Sequence, residues 1–380
     1  MSQHVKEFQQ SAEKPTDKEI DSEIITNLTT ETIGSANVDE SPIKFSGLNI
    51  DLSYHCPLEC DHCLFEAGPS RSLQGMSDSH IVRVIQSAAE VGTFYSISIG
   101  HQEPFVQFDR LCEILRFLKS NFDGYGIAMP TTAVWVKARE FAFKRLSILR
   151  DLQVENLMIS VDDYHQSQVP LQKCITCASV AQELGMHVTI QCVYSRTSHR
   201  LDYYRTLMEP HLDPDKTKWV ESPFCPSGRA RKALSESNWP QRNYKDGSCN
   251  VMQVMYVAPD GSVTPCCGGG LVASGLVMGS LYEKSMAQIC VEIEQDPIMN
   301  SLASHQGPAG LVETLQKEHP AWKPREYYTG TCHACFEIMN DPSLVEFLRK
   351  SYEERKVDLL LQRLYMEVKE GLFASCQQSG

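Results

Sequence analysis

No run of about 18 apolar residues occurs among the 380 positions, so no membrane-spanning helix is expected. A basic excess is missing too: 35 lysines and arginines face 48 acids, for a formal net charge of -13. Surfaces that hold nucleic acid or anionic lipid are built from lysine and arginine clusters, so neither a nucleic-acid nor a membrane partner is expected. The opening residues Met1-Ser2-Gln3-His4-Val5-Lys6 lead into no apolar stretch of signal-peptide length, which points to a cytoplasmic, reducing setting. In that setting the 15 cysteines read as metal ligands or catalytic thiols rather than disulfides. Residues 1–45 hold four lysines against nine acids, are rich in Ser, Thr and Glu, and have Phe8 and Phe45 as their only aromatics. Such a composition predicts a disordered acidic tail.

What is present is more specific. His55-Cys56-Pro57-Leu58-Glu59-Cys60-Asp61-His62-Cys63 spaces three cysteines as C-x3-C-x2-C, directly after the strand-like run Leu48-Asn49-Ile50-Asp51-Leu52. A loop of this length wraps three thiolates around one iron–sulfur cube and leaves one iron open. Clusters that only carry electrons are held by four cysteines, so three ligands make the counterpart of a catalytic metal site with a vacant position. Structural zinc wants four ligands, commonly in paired C-x2-C groups. His55 and His62 flank the cysteines and are read as packing or hydrogen-bonding groups rather than ligands.

The triad resembles that of the radical S-adenosylmethionine (SAM) superfamily. The resemblance implies that Cys56, Cys60 and Cys63 hold a [4Fe-4S] cluster whose open iron is chelated by SAM. It further implies reductive cleavage of SAM to a 5'-deoxyadenosyl radical, with an electron donor such as flavodoxin or ferredoxin.

From about residue 46, strand-length runs at 47–53, 94–99, 124–129, 156–161, 187–193 and 217–221 alternate with stretches of helical period at 78–91, 108–120, 137–152, 168–184 and 200–209. This alternation predicts a parallel sheet and an α/β fold, a partial (β/α)6 TIM-like barrel over 46–230 with its chemistry at the carboxyl ends of the strands. A Cys-rich domain is expected over 231–342, starting with a short hairpin at 251–264 that turns at Pro259-Asp260-Gly261. The rest of that stretch, rich in Gly, Pro and Cys, predicts little core of its own and hence a metal staple. Residues 343–380 form a terminal helix and tail, with Leu344, Phe347, Leu348, Val357, Leu360, Leu361, Leu364 and Val368 as its apolar stripe.

Cys249, Gly261 and Cys266 follow the spacing C-x11-G-x4-C, with Cys332-x2-Cys335 far downstream. The pattern is similar to the auxiliary-cluster domains called SPASM and, in shortened form, twitch. Only Cys376 follows Cys335, which favours the one-cluster twitch form. The resemblance implies a second [4Fe-4S] cluster on Cys249, Cys266, Cys332 and Cys335, with Cys267 able to replace Cys266; a four-cysteine zinc site also satisfies the spacing.

Further site residues follow from the same resemblance. In Ser98-Ile99-Gly100-His101-Gln102-Glu103-Pro104, Glu103 and Pro104 match the family's Gly-Gly-Glu-Pro turn that receives the SAM amino group. His101 and Gln102 occupy the glycine positions, and Gly100 supplies the turn one residue earlier. Ser160 and Asp162 after the fourth strand are ribose-binding candidates, with an ordinary helix cap as the alternative for Asp162. Gln191 and Tyr194 after the fifth strand are weaker ones. Arg229, in Pro226-Ser227-Gly228-Arg229-Ala230, is expected to contact a carboxylate or the substrate, or to pair on the surface.

Modification of a ribosomally made peptide by crosslinking or epimerisation is the leading expectation, oxidation of a small alcohol or sugar-like molecule the second, and a zinc-stabilised scaffold the non-catalytic alternative. Epimerisation needs a thiol hydrogen donor, for which Cys267 and Cys225 are candidates; each is otherwise a buried small apolar residue.

Overall fold

A computed structural model describes residues 43–355, apart from 123, 244–248, 250–251 and 305. The expected tail at 1–45 therefore falls almost wholly outside the described residues, as do Val357, Leu360, Leu361, Leu364, Val368 and Cys376.

The first half alternates as the periodicity requires: β1 (Gly47–Ile50), α1 (Asp78–Val91), β2 (Ser96–Ile99), α2 (Phe108–Asn121), β3 (Gly126–Thr131), α3 (Arg139–Asp151), β4 (Val154–Ser160), the single turn α4 (Asp163–Gln166), α5 (Leu171–Glu183), β5 (His187–Tyr194), α6 (Leu201–Met208) and β6 (Thr217–Pro223). All six strands pair in parallel, each with its sequence neighbour. α1 shows why such helices form here. The Ser77 side chain accepts from His80 N, and Ile81, Val84, Ile85 and Ala88 bury one stripe.

Strand alternation separates two faces. Leu48 and Ile50 stand in register with Ile97 and Ile99 on one side and with Met255 and Val257 on the other, all buried. These positions form the apolar face. Asn49, Ser98 and Tyr256 are in register on the opposite, polar face.

After α7 (Gly228–Ala233), the segment β7 (Val254–Val257), β8 (Ser262–Thr264) and β9 (Gly279–Ser280) does not stand apart from the barrel. β7 pairs in parallel with β1, giving one nine-stranded sheet in the order β6-β5-β4-β3-β2-β1-β7-β8-β9. The β7–β8 hairpin turns as expected, with a positive φ at Gly261.

The expectation of little core after the hairpin is corrected by α8 (Met286–Gln295), α9 (Pro297–Ala303), α10 (Pro308–Glu318), α11 (Thr331–Met339) and α12 (Pro342–Glu354). Met286, Ile289, Ile293, Ile298, Met299, Leu302, Leu311, Val312 and Leu315 are all fully buried. Their helical spacing is real but broken into short pieces by Pro297 and Pro308, which open helices rather than exclude them. Among the described residues no helix is long and apolar enough to cross a membrane.

Leu48 lies at the centre of the joined sheet, between β2 and β7. Leu48→Ala is expected to cost about 3 kcal/mol in urea unfolding, as for other buried large-to-small changes; a loss below about 0.5 kcal/mol would show that β1 is not central.

Candidate active site

The three-cysteine loop leaves β1 at its carboxyl end, with Cys56 and Cys60 buried and Cys63 half-buried. Cys63 N donates to Cys60 O at 3.1 Å, and Cys56 N to Gly68 O at 3.2 Å. The α7 end supplies the remaining constraint. Arg229 donates from Nη1 to Cys60 O (2.8 Å) and from Nη2 to Ala67 O (2.6 Å), while its backbone N donates to Cys63 O (3.0 Å). Gly228 permits this approach, because at φ +54° any Cβ there would lie 2.1 Å from Leu64 O. Arg229 therefore grips the loop's own carbonyls and also lies 3.8 Å from the exposed Glu59 carboxylate, a carboxylate contact the sequence allowed. Burial pushes the Cys56 thiol up to about 11 and raises Cys60 as well.

A single tetrahedral zinc ion with Zn–S bonds of about 2.3 Å would draw its sulfurs to about 3.8 Å apart. Among the described residues, the one group of three metal-capable side chains with ligand atoms all within 4.8 Å is His62, Asp162 and His165; no three cysteines are gathered that closely.

Opposite the loop, Gly100 makes the turn after β2 at φ +88° and donates its N–H to Ile50 O. The next two residues converge on Asp51, a fully buried carboxylate the sequence reading did not single out. Asp51 Oδ1 accepts from His101 N (2.7 Å) and faces His101 Nδ1 (3.0 Å); Oδ2 accepts from Gln102 Nε2 (3.0 Å) and from the Tyr256 hydroxyl (2.7 Å). Glu103 turns away toward β3, where its carboxylate accepts from Thr131 Oγ1 (3.0 Å), Thr132 N (2.8 Å) and Thr132 Oγ1 (2.6 Å). Burial raises the Glu103 pKa against these bonds. Pro104 opens the short 3-10 turn Pro104–Gln107 that Glu103 caps.

At the end of β4, Asp162 caps α4: Oδ1 accepts from His165 N (3.0 Å) and Oδ2 meets His165 Nδ1 (2.8 Å). Burial would raise its pKa, but His165 outweighs that and holds it at about 2. Ser160 is half-buried with its carbonyl 4.0 Å from Cys174 Sγ, Gln191 Nε2 lies 4.0 Å from Met158 Sδ, and Tyr194 lies under the Arg200 guanidinium. His55 Nδ1 meets Arg71 O, a hydrogen-bonding role as expected. His62 stacks on Tyr164 with ring centroids 4.7 Å apart. Burial lowers its pKa to about 4. His62 Nδ1 and Gln166 Oε1 are buried with no hydrogen-bond partner among the described residues. The orphaned His62 Nδ1, within the cysteine loop itself, is what a polar ligand lodged there would satisfy.

The second cysteine group also converges. Gly268 N donates to Cys266 Sγ at 3.3 Å. A Cβ on Gly269 would stand 2.4 Å from Cys225 Cβ and 3.3 Å from Cys332 Cβ, and one on Gly270 would stand 3.6 Å from Cys335 Sγ. Burial raises the Cys335 thiol, and neighbouring Cys249, Cys332 and Cys225 raise it further; for Cys267, burial to about 11 is reinforced by Cys332 and Cys249. Cys225 thus belongs spatially with Cys249, Cys266, Cys267, Cys332 and Cys335. Between the two groups lies a cleft of about 390 Å3, walled by Tyr54, Phe65, Arg71, Tyr256, Leu271 and Phe336 among others, with no cysteine on its wall.

Tyr256→Phe removes one donor from buried Asp51. It is expected to cost about 1–3 kcal/mol in urea unfolding without changing the fold; an unchanged midpoint would show that Asp51 does not need this bond.

A family model for the SPASM iron-sulfur cluster-binding domain matches residues 249–307, a stretch that starts at Cys249 and contains Cys266 and Cys267. The Bacillus subtilis (strain 168) protein YydG, named for peptide biosynthesis, is 19% identical over 319 residues, covering 81% of this chain and 97% of that protein. Streptococcus suis SuiB bound to the precursor peptide SuiA shares the fold with a TM-score of 0.52 at 15% identity, over 78% of this chain and 76% of that one. SuiB bound to S-adenosylmethionine gives a TM-score of 0.50 at 15% identity, over 74% and 73%. The cysteine triad thus stands at the end of β1 in a parallel α/β sheet of the fold shared with SuiB, and residues 249–307 match the SPASM iron-sulfur cluster-binding domain.

Proposed function

We propose that the chain reductively cleaves S-adenosylmethionine and uses the resulting radical to modify a peptide. The observation that carries this reading is the clamped C-x3-C-x2-C loop, with two buried thiols and the buried His62 Nδ1 left without a partner among the described residues. Cys56, Cys60 and Cys63 would hold a [4Fe-4S] cluster, and Cys249, Cys266 or Cys267, Cys332 and Cys335 a second one. When bound, the first cluster and SAM together supply a 5'-deoxyadenosyl radical that takes a hydrogen atom from substrate.

The chain's own residues have distinct tasks in this reading. Arg229 fixes the loop through the Cys60 and Ala67 carbonyls. Asp51 orients the His101-Gln102 turn, and the Asp162–His165 pair shapes the pocket wall that faces His62. Phe65, tilted against both His101 and Tyr256, keeps water from that turn. The cleft between the cysteine groups is the place assigned to the substrate, its wall combining the apolar Leu64, Phe65, Val272 and Phe336 with the polar Arg71, Glu66 and Asn340. A side chain of a peptide fits such a mixture, apolar contacts for the side chain and polar ones for the backbone. The likeness to YydG over most of both chains supports a peptide rather than a small alcohol or sugar. A flavodoxin or ferredoxin is the proposed electron donor. Crosslinking and epimerisation are the two outcomes considered; for epimerisation Cys225 and Cys267 are the proposed hydrogen donors, and since neither is among the residues lining the cleft, the substrate would have to reach past that wall to meet one.

Anaerobically purified protein is expected to be brown with about eight irons per chain, two cubes, and to release 5'-deoxyadenosine from SAM with dithionite. Cys56→Ala, Cys60→Ala or Cys63→Ala should abolish that release; colourless, zinc-loaded wild-type protein would contradict the reading. Cys335→Ala is expected to lower iron to about four per chain while 5'-deoxyadenosine release remains measurable. Loss of release in step with that iron would show that the two sites are not separate.

A further inference from the structure

Cys60 is approached by a side chain from the segment that follows β4. Gln168 follows α4, and its neighbour Val169 is fully buried, which anchors the segment under the cysteine loop. Its backbone N donates to His165 O at 3.0 Å. Its side chain has one orientation consistent with both partners. Glu59 N can only donate, so the atom facing it at 2.9 Å is the Gln168 oxygen, and the amide NH2 must then face Cys60 Sγ, 3.6 Å away.

The two contacts act on one residue. Arg229 places a positive guanidinium 2.8 Å from the Cys60 carbonyl, while Gln168 directs an N–H dipole at the Cys60 sulfur. Cys56 and Cys63 receive no side-chain hydrogen bond at sulfur among the bonds of the described residues; the groups that favour charge on Cys56 are the backbone N–H groups of Leu58 and Glu103. A donor aimed at a ligand sulfur stabilises extra negative charge there, and hydrogen bonds to sulfur are one determinant of cluster reduction potential.

We propose that Gln168 is a positioning residue that sets the reduction potential of the three-cysteine cluster, making it easier to reduce by bonding Cys60 Sγ while its carbonyl pins the loop at Glu59. This rests on Cys60 being a cluster ligand. It acts before any substrate chemistry, on the electron that starts the reaction.

The test is an EPR-monitored redox titration of the full-length, iron-reconstituted chain, following the signal component that changes when SAM is added. Gln168→Leu keeps the volume and removes both polar contacts; Gln168→Glu keeps the acceptor for Glu59 N but replaces the N–H donor by an anion. A net hydrogen-bond worth of about 1 kcal/mol predicts about a fivefold loss in the reduction equilibrium for Leu. That is about 40 mV toward lower potential at 59 mV per tenfold, with a larger fall for Glu and unchanged iron content in both. Equal midpoints in wild type and Gln168→Leu at equal iron content would overturn the proposal. If both variants lose iron, Gln168 serves only to fold the loop, and the proposal is likewise overturned. A wild-type chain with no SAM-responsive signal would instead refute the ligand assignment of Cys56, Cys60 and Cys63.

Discussion

One buried carboxylate at the end of β1 ties together the parts from which the site is built. Asp51 binds the turn after β2 through His101 and Gln102, and reaches β7 through Tyr256, while its own N–H donates to Val257 O. An unpaired carboxylate at such depth would be costly; with its donors in place it instead fixes three strand ends relative to one another. The cysteine loop starts a few residues later, so its position follows from this junction. The parallel pairing of β1 with β7 extends the same logic. It brings the second cysteine group onto the sheet that carries the first, a placement that an independently folded appendage would not guarantee.

The stretch from Cys225 to Arg229 links the two groups directly. Cys225 lies among the downstream cysteines, Ser227 donates to Gly269 O, and Gly228 and Arg229 pack on the first loop. Within five residues the chain passes from one thiol cluster to the other.

Much of this was legible in the sequence, and for identifiable reasons. The six strands and the helices between them stood out because parallel strands covered by helices are written as short apolar runs separated by helical periods, as in Val154–Ser160 followed by Leu171–Glu183. The triad was legible because metal spacing is local. Asp51 was not, since its meaning depends on partners 50 and 205 residues away. Gln168 was hidden for the same reason, lying 108 residues from Cys60. The helical core around Ile293 and Leu311 was obscured by prolines that read as breakers but sit at helix starts. Asp162 was readable only as two alternatives. In this structure the cap is formed, and the ribose role rests on proposal.

The central claim is that Cys56, Cys60 and Cys63 present a cluster with one iron open to SAM. The most direct measurement is the EPR spectrum of the dithionite-reduced chain with and without SAM, in a Cys332→Ala/Cys335→Ala background that removes the second cysteine group. The account predicts a [4Fe-4S] signal whose g-values change when SAM is added. A signal indifferent to SAM, or no iron signal at all with zinc in its place, would contradict it.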